Sequence, residues 1–361
     1  MVRHFLRRRS KAEAYLAFGC GFSRNILSDT NSNVMIQVLP DRCVDVFDSY
    51  ACTFFAKEDG SIWAVGTNSR GETGLGYTGL VNTLTEVTGI DNMHIFGGAQ
   101  WSNFGIKDGS LFAAGYNGYG QLGLGDGVDR HTFTQIGTDR YIDASSGREH
   151  SLAIREDGRI MSVGSGAYGS RGDGATGPST NVWGFVSTND KFKKIAASQN
   201  HSSYGLREDG VLFAWGYNGN GQLGLGGADY ENRTTPIQVG TDRFIDIKAS
   251  TVSLYALRED RKLFACGGNS YGQLGLGDSV DRHSLVEVPL PGDVFMVDAA
   301  GSHVAVILMD RTLWTCGMNN AGQLGLGDNT NRNTFSATGI DRCVKVTCAG
   351  ATASTHVLRD M

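Results

Sequence analysis

Three glycines of this chain have the spacing with which a protein backbone can hold a pyrophosphate. Within GYNGNGQLGLGG (residues 216–227) they read Gly219-x-Gly221-x-x-Gly224. In a dinucleotide site such a loop follows a strand, opens a helix and has an acidic residue about 20 residues further on. Here the loop continues as LGLGG into polar residues, and no helical pattern follows. The sequence therefore predicts a structural loop and no nucleotide cofactor.

Two further patterns could carry chemistry, and each has a plainer interpretation. His150 and His303 each lie seven residues before an aspartate, in corresponding positions. A histidine at a repeated position is more often a hydrogen-bonded core group than a base. The tetrapeptides DGVD, DSVD and DNTN (126–129, 278–281 and 328–331) suggest calcium, but calcium loops need more ligands and a bidentate carboxylate. We therefore expect no metal, no cofactor and no catalytic residue.

The elements that carry these residues recur along the chain. Successive copies of the glycine loop are marked in one position by Glu72, Gln121, Ser170, Gln222, Gln273 and Gln323. The spacings are 49, 49, 52, 51 and 50 residues. An aspartate before a hairpin turn occurs seven times, at Asp59, Asp108, Asp157, Asp209, Asp260, Asp310 and Asp360. A second aspartate opens each unit, at Asp41, Asp91, Asp139, Asp190, Asp242, Asp293 and Asp341.

Each unit has the pattern of one blade of a β-propeller. Short apolar-rich runs such as RFIDIKAS, VSLYALRE, KLFACG and TPIQVG give four strands per 48–52 residues. A parallel β-helix is the alternative, but its repeat is much shorter. Asp-Gly follows the second run in the first four copies and predicts type I′ hairpins. The glycines of the loop permit left-handed turns, and its leucines are predicted to fill the gaps between blades.

The last blade is predicted to be completed by N-terminal residues. Asp360 is the penultimate residue, whereas YLAFGCG (15–21) aligns with the third strand of other units and VMIQVL (34–39) with the fourth. Closing the ring in this way removes two unpaired sheet edges. We therefore expect a basic arm at 1–14 and one seven-bladed, all-β propeller at 15–361. Its four-stranded antiparallel blades include a closing blade built from 15–40 and 341–361.

Composition excludes several classes of protein. Glycine is abundant (51 residues) and proline scarce (5), which excludes collagen, and the net charge of −5 argues against a broad nucleic-acid-binding face. No apolar run is long enough for a membrane span, and the N-terminus does not read as a signal peptide. The seven cysteines include no C-x-x-C pair and are expected to be buried thiols. These features suggest a cytoplasmic protein or one within an assembled particle.

The repeat unit resembles the regulator of chromosome condensation repeat. HSLAIREDG (150–158) and LFAWGYNGNGQLGLG (212–226) carry the resemblance, which extends from about Tyr15 to Met361. It implies a seven-bladed β-propeller. The founding member of the family is an exchange factor for Ran that uses a β-wedge for exchange and binds chromatin through an extended basic tail. Here no unit has an insertion long enough for a wedge, and the tail is reduced to Arg3, Arg7, Arg8, Arg9 and Lys11.

Copies that depart from the repeat are the candidate partner-binding sites. Arg171 and Asp173 replace the loop leucines in SRGDG, and Trp183 follows nearby. Arg70 and Glu72 lie in the degenerate copy SRGETG. Arginine and tryptophan are frequent interface anchors. Together with Arg3, Arg7, Arg8 and Arg9 of the arm, these residues are the predicted binding candidates.

The sequence thus predicts a non-enzymatic propeller that serves as a protein-interaction platform, as a structural or accessory subunit of a larger assembly. A viral or phage particle is one such assembly. Two alternatives stay open: a guanine-nucleotide exchange factor for a small GTPase, and a proteinaceous enzyme inhibitor. Protein partners are expected, without a membrane or a small-molecule substrate, and nucleic acid only through the basic arm.

Overall fold

Runs of β-branched and aromatic residues bounded by glycine-containing turns form strands throughout the chain. The computed structural model describes residues 15–21, 31–39, 43–50, 52–96, 98, 101–227, 229–350 and 353–360. The first strands in chain order are β1 (Leu16–Gly21), β2 (Ser32–Gln37), β3 (Asp45–Asp48), β4 (Cys52–Ala56), β5 (Ile62–Gly66), β6 (Val81–Glu86), β7 (His94–Phe96), β8 (Ser102–Lys107), β9 (Ser110–Gly115), β10 (Arg130–Ser146), β11 (His150–Arg155), β12 (Ile160–Gly164) and β13 (Thr180–Phe185).

The following strands are β14 (Phe192–Ala197), β15 (Ser202–Arg207), β16 (Leu212–Gly216), β17 (Arg233–Gln238), β18 (Phe244–Ala249), β19 (Ser253–Arg258), β20 (Leu263–Gly267), β21 (Arg282–Glu287), β22 (Val294–Ala300), β23 (His303–Leu308), β24 (Leu313–Gly317), β25 (Arg332–Ala337), β26 (Cys343–Ala349) and β27 (Ser354–Arg359). A single turn of 3₁₀ helix covers Ala167–Gly169. No helix in the described part of the chain is long and apolar enough to cross a bilayer.

These strands form antiparallel sheets with meander connectivity. Four sheets consist of β3–β6, β14–β17, β18–β21 and β22–β25, and a longer sheet runs from β7 to β13. In that longer sheet β10 pairs with β9 as far as Arg140 and with β11 from Tyr141 onward. Divided there, and with the sheet β2-β1-β27-β26, the described strands form four-stranded units that we number blades 1 to 7, beginning with β3–β6.

Blade 7 joins the two ends of the chain, as the sequence predicts. β1 pairs antiparallel with β27, from Leu16 opposite Arg359 to Gly21 opposite Ser354. β2 and β26 complete the sheet on either side. The prediction of an all-β propeller with four-stranded blades and a closing blade from both termini is confirmed. The arm at 1–14 lies outside the described residues, so its role stays a prediction.

The first strands of successive blades contact one another from blade 3 through blade 7 to blade 1 and form the inner side of the propeller. Ion pairs join them: Lys194 to Asp246, Lys248 to Asp298 and Lys345 to Asp45. The core of the protein lies between blades, where each cluster draws residues from two neighbouring sheets. Fully buried leucines from the glycine loops lie in these gaps, at Leu122, Leu223, Leu274 and Leu324. The predicted plugs are therefore present, although only the first leucine of each pair is fully buried.

The hairpins differ in detail from the predicted type I′ turns. Only Asp108-Gly109 has both residues at positive φ, 49° and 82°. At Asp59 and Asp157 the glycine alone is left-handed, and the aspartate accepts a hydrogen bond from the amide two residues further on. These turns are one residue longer than a two-residue hairpin turn, so the aspartate does not need a positive φ. The seven cysteines are buried free thiols, as predicted.

Candidate protein-interaction surface

The meander gives the propeller two distinct faces. One, which we call the loop face, carries the glycine loops and the turns between first and second strands. The other, the hairpin face, carries the hairpins between second and third strands and the connections between blades. On the loop face, the side chains accessible to a partner are those that point away from the packed glycine loops.

Each glycine loop satisfies its own amides, which fixes where its side chains point. In blade 2 the Leu122 amide donates to Asn117 Oδ1 (2.9 Å) and the Tyr119 amide donates to Gln121 Oε1 (3.0 Å). Gly123 donates to the Gly120 carbonyl (2.9 Å). These amides are not directed at a phosphate. The residue two before the glutamine position is left pointing outward, and in blade 2 it is Tyr119, 38% exposed.

Five aromatic residues lie close together across blades 2 to 4, and we call them the aromatic arc: Trp101, Tyr116, Tyr119, Tyr168 and Tyr217. In blade 2, Tyr116 contacts Trp101 and Tyr119 edge to face, each at 6.1 Å between ring centroids. Tyr168 of blade 3 contacts Tyr217 of blade 4 at 5.0 Å. Tyr168 is 46% exposed, so the arc presents ring surface to solvent.

A polar centre joins the two halves of the arc. The charge of the Glu149 carboxylate raises the pKa of the Tyr119 phenol. Glu149 also lies 3.8 Å from His201 Nε2, and His201 packs against Tyr168 at 5.4 Å. Burial lowers the pKa of His201, while Glu149 opposes this shift. A neutral imidazole is thus held between a carboxylate and an aromatic ring.

Several residues of the arc have a left-handed backbone. Trp101, Tyr168 and His201 have φ of 43°, 58° and 61°. Ala353, at the position of Trp101 and His201 in blade 7, is also left-handed with φ of 39°, so this conformation belongs to the repeat and is not specific to the arc.

The arc is confined to one part of the ring, although its positions recur in every blade. The residue directly before the second strand is large or charged in blades 2 to 4 and small in blades 5 to 7: Trp101, Glu149, His201, Val252, Ser302 and Ala353. The position of Tyr119 and Tyr168 is occupied in the other described loops by Arg70, Asn220, Tyr271 and Ala321. Of these, Tyr271 is exposed but lacks the neighbouring rings of the arc.

Arg70 is the predicted candidate that the structure brings to the arc. Its guanidinium lies over the ring of Tyr116, 5.0 Å from the centroid, and it forms an ion pair with Asp129 at 3.5 Å. Its side chain is half exposed. Arg70 therefore extends the arc onto blade 1.

Glu72 requires a correction. Its side chain is fully buried, and its carboxylate accepts a hydrogen bond from the Arg70 amide (2.7 Å). This is the bond that Gln121 makes in the next copy. Burial raises the pKa of Glu72. Glu72 thus closes its own loop and presents nothing to a partner.

In the copy SRGDG, the space that loop leucines occupy elsewhere is taken by other side chains. This corrects the interpretation of Arg171 and Asp173 as partner anchors. Arg171 is 6% exposed, and its guanidinium donates to Asp173 (2.8 Å) and to the Pro178 carbonyl (2.6 Å). Trp215 of blade 4 is fully buried beside them and donates to the Ser170 carbonyl (3.0 Å). A larger side chain from the next blade therefore occupies the space.

Trp183 also packs within the protein. It lies on β13, edge to face with Phe104 of blade 2 at 6.1 Å. A Cβ on Gly123 would come within 1.9 Å of its indole nitrogen, so the glycine loop of blade 2 rests on this ring. The prediction that Trp183 anchors a partner is replaced by a role in packing blade 3 against blade 2. Arg3, Arg7, Arg8 and Arg9 lie outside the described residues.

The calcium-like tetrapeptides are turns held by their own chain. Asp126 accepts hydrogen bonds from Arg130 (2.7 Å), Val128 (3.0 Å) and Asn117 (3.1 Å). The loops that carry Asp278 and Asp328 repeat this pattern. Within the described ranges no group of three histidine, cysteine, aspartate or glutamate residues is placed to hold a metal ion.

Sequence reasoning missed the aromatic arc, although a signal for it was present. Aligning the repeats by their glutamine position places Tyr119 and Tyr168 in one column. Aligning them by their second strand places Trp101 with Glu149 and His201. Residues at these two alignment positions come into contact because the propeller ring brings adjacent blades together.

Comparisons with known proteins agree with this architecture. Two models described as the regulator of chromosome condensation (RCC1) repeat match the chain, one at residues 108–154, 209–253 and 260–307, the other at 141–170 and 192–222. Among solved structures, Prp20p from Saccharomyces cerevisiae has a TM-score of 0.84 and 15% identity, over 97% of this chain and 92% of that one.

Curated relatives match over shorter segments. The ultraviolet-B receptor UVR8 of Arabidopsis thaliana is 38% identical over 95 residues, 26% of this chain and 21% of that protein. The guanine nucleotide exchange factor SRM1 of Saccharomyces cerevisiae is 32% identical over 122 residues, 32% of this chain and 25% of that protein. The matched segments thus span no more than a quarter of these two relatives. The chain thus contains regulator of chromosome condensation (RCC1) repeats and shares the β-propeller fold of Prp20p.

Proposed function

We propose that this protein is a protein-interaction propeller whose partner binds the aromatic arc on the loop face. The observation that carries the proposal is the set of mutually packed aromatic side chains that runs through blades 2 to 4 and includes the exposed rings of Tyr119 and Tyr168. Tyrosine, tryptophan and arginine supply most binding hot spots in protein interfaces. The arc contains the first two, and Arg70 adjoins it.

Polar groups within the arc support a protein partner. Glu149, Arg70 and the tyrosine hydroxyls can pair with backbone and side-chain groups at the edges of a buried aromatic contact.

Removing the arc tyrosines tests the proposal. In the full chain, Tyr119→Ala combined with Tyr168→Ala should lower the affinity for the co-purified partner about 30-fold, as expected for a loss of about 2 kcal/mol. Partner recovery is measured by quantitative mass spectrometry at equal bait. The matched control is Tyr271→Ala, which removes an exposed tyrosine from the same repeat position in blade 5. Equal losses in both variants, or none in the double variant, would refute the assignment.

Nucleotide exchange on a small GTPase is the second candidate. The similarity to SRM1, named as an exchange factor, favours it, and the report on the Prp20p structure describes binding to Gsp1p and histones. The even length of the repeats, without an inserted wedge, weighs against it. The rate of GDP release from Gsp1p, with and without this protein, separates the two: marked acceleration supports exchange, and an intrinsic rate supports a binding role alone.

A further inference from the structure

The hairpin face carries an ion cluster that recurs in most blades. An arginine at the end of the second strand joins the hairpin aspartate to the aspartate that opens the blade. In blade 4, Arg207 lies 2.8 Å from Asp209 and 3.2 Å from Asp190. Blades 3, 5 and 7 place an arginine in the same position: Arg155, Arg258 and Arg359. These clusters line the space between the hairpin and the incoming connection with paired charges.

Blade 6 replaces this cluster with apolar residues. The Met309 amide donates to the Asp293 carbonyl (2.8 Å), as the Glu259 amide donates to Arg243 in blade 5 (3.2 Å). Met309 therefore takes the place of a glutamate, and Leu308, one residue earlier, takes the place of the arginine. Asp293 occupies the position of a basic residue. The opening aspartate assigned to Asp293 from sequence is thus one residue out of register, and its position is held by Gly292.

The same space in blade 6 is a pocket with an apolar lining, which we call the blade 6 pocket. It has a volume of about 310 Å³ and is lined by Pro291, Gly292, Asp293, Leu308, Met309, Asp310 and Trp314. The corresponding pocket in blade 3, of about 450 Å³, is lined by Thr138, Asp139, Arg140, Arg155, Glu156 and Asp157, which are charged except for the threonine, so the two pockets differ in the chemistry of their lining. Met309 is 50% exposed, whereas Leu308 is buried at the base. This pocket is at the lower end of the range for ligand sites, roughly 300–1,000 Å³.

Asp310, beside the pocket, lacks the arginine with which the hairpin aspartates of blades 3 to 5 pair, and in this it resembles Asp59 of blade 1. Asp260, the equivalent of Asp310 in blade 5, pairs with Arg258 at 2.8 Å. Asp310 accepts hydrogen bonds only from Thr312, through its amide (3.0 Å) and hydroxyl (2.7 Å), and it forms no ion pair within the described residues. Asp293 pairs with Lys262 of blade 5 (2.8 Å). The rim is therefore acidic next to an apolar floor.

We propose that the blade 6 pocket binds an apolar side chain of a partner protein that is adjacent in sequence to an arginine or lysine. The apolar group packs against Leu308, Met309 and Trp314, and the basic group pairs with Asp310, in place of the arginine of the other blades. This site lies on the hairpin face, so it is separate from the aromatic arc and does not depend on the function proposed for it. The protein would accordingly contact partners on both faces.

Methyl NMR on the full chain tests the proposal with defined probes. Among the eight methionine methyl signals, that of Met309 is assigned by its loss in Met309→Leu. N-acetyl-leucyl-arginine amide should shift this signal saturably. N-acetyl-glycyl-arginine amide should bind about tenfold more weakly, because it lacks the buried side chain. N-acetyl-leucyl-glutamate amide should bind about two- to fivefold more weakly, because its charge is reversed.

Variants distinguish a specific site from general surface binding. Leu308→Arg, which restores the residue of the other blades, should abolish the shift. Asp310→Asn, on an exposed turn, should remove the preference for the arginine probe even if Leu308→Arg does not fold. Asp260→Asn in blade 5 is the matched control and should change nothing, as should loss of the arc tyrosines. Equal shifts with all three probes, or no saturable shift with the first, would overturn the proposal.

Discussion

His150 and His303 are buried imidazoles that each link two neighbouring blades. His150 Nε2 lies 2.9 Å from Ser203 Oγ, and His303 Nε2 lies 3.1 Å from Thr355 Oγ1. Burial lowers the pKa of His150 to about 3 and that of His303 to about 4. The residues that looked most like catalytic bases are therefore neutral structural groups at pH 7.

These shifts predict a loss of stability in acid. Between pH 6.5 and 4 the unfolded chain binds protons at both histidines and the folded chain does not, so the free energy of unfolding falls as pH falls. Burial also raises the pKa of Asp143 to about 6, which has the opposite effect below that pH. In His150→Gln the loss between pH 7 and pH 5 should be smaller than in the wild type by about 2 kcal/mol.

Urea unfolding of both proteins at the two pH values measures this difference, and Asp143 cancels because both chains contain it. The control is His131→Gln, which changes an exposed histidine in a surface strand. If His150→Gln and the wild type lost the same amount of stability, the buried histidine would not be the acid-sensitive group.

The roles of single residues were predicted correctly where the residue recurs in the repeat. The histidine position and the loop leucines recur, and a recurring group is expected to be structural. Arg171 and Glu72 were misassigned because a departure from the repeat was equated with exposure. A polar side chain at a buried position must find partners inside, as Arg171 does in Asp173 and the Pro178 carbonyl and Glu72 does in the Arg70 amide.

At the scale of elements, the closing strand β27 is the most informative. It pairs with β26 on one side and with β1 on the other, and its His356 lies 2.9 Å from the buried carboxylate of Asp48 in blade 1. One short strand therefore connects blades 7 and 1 as well as the two ends of the chain. Its place could be predicted from sequence because the strand pattern is incomplete at one end and continues at the other.

Deleting residues 350–361 should destabilise the entire ring. The deletion removes the ladders that β27 forms with β1 and with β26, and it removes Val357 and Leu358 from the two cores to which they belong. We expect a single unfolding transition at a clearly lower melting temperature, measured by calorimetry. Replacing Met361 alone is the control. A truncated chain that melted at the wild-type temperature would contradict ring closure by β27.

At the scale of the whole molecule, a regular ring carries two irregular surfaces. The loop face is aromatic over blades 2 to 4, and the hairpin face has the apolar pocket of blade 6 in place of a charged cluster. The sequence predicts the ring because its period is strong. The sequence alone does not predict either surface. The aromatic arc depends on which residues of neighbouring blades come into contact, and the blade 6 pocket depends on contacts between one connection and one hairpin.

Site-specific photo-crosslinking tests most directly whether partners bind the aromatic arc. The full chain carries benzoylphenylalanine in place of Tyr168, or in place of Tyr271 at the equivalent position of blade 5, and is irradiated with its co-purified partner. If the partner binds the aromatic arc, we expect a covalent adduct from position 168 and none from position 271. An adduct from position 271 alone, or from neither position while the partner is still bound, would contradict the assignment of the loop face of blades 2 to 4.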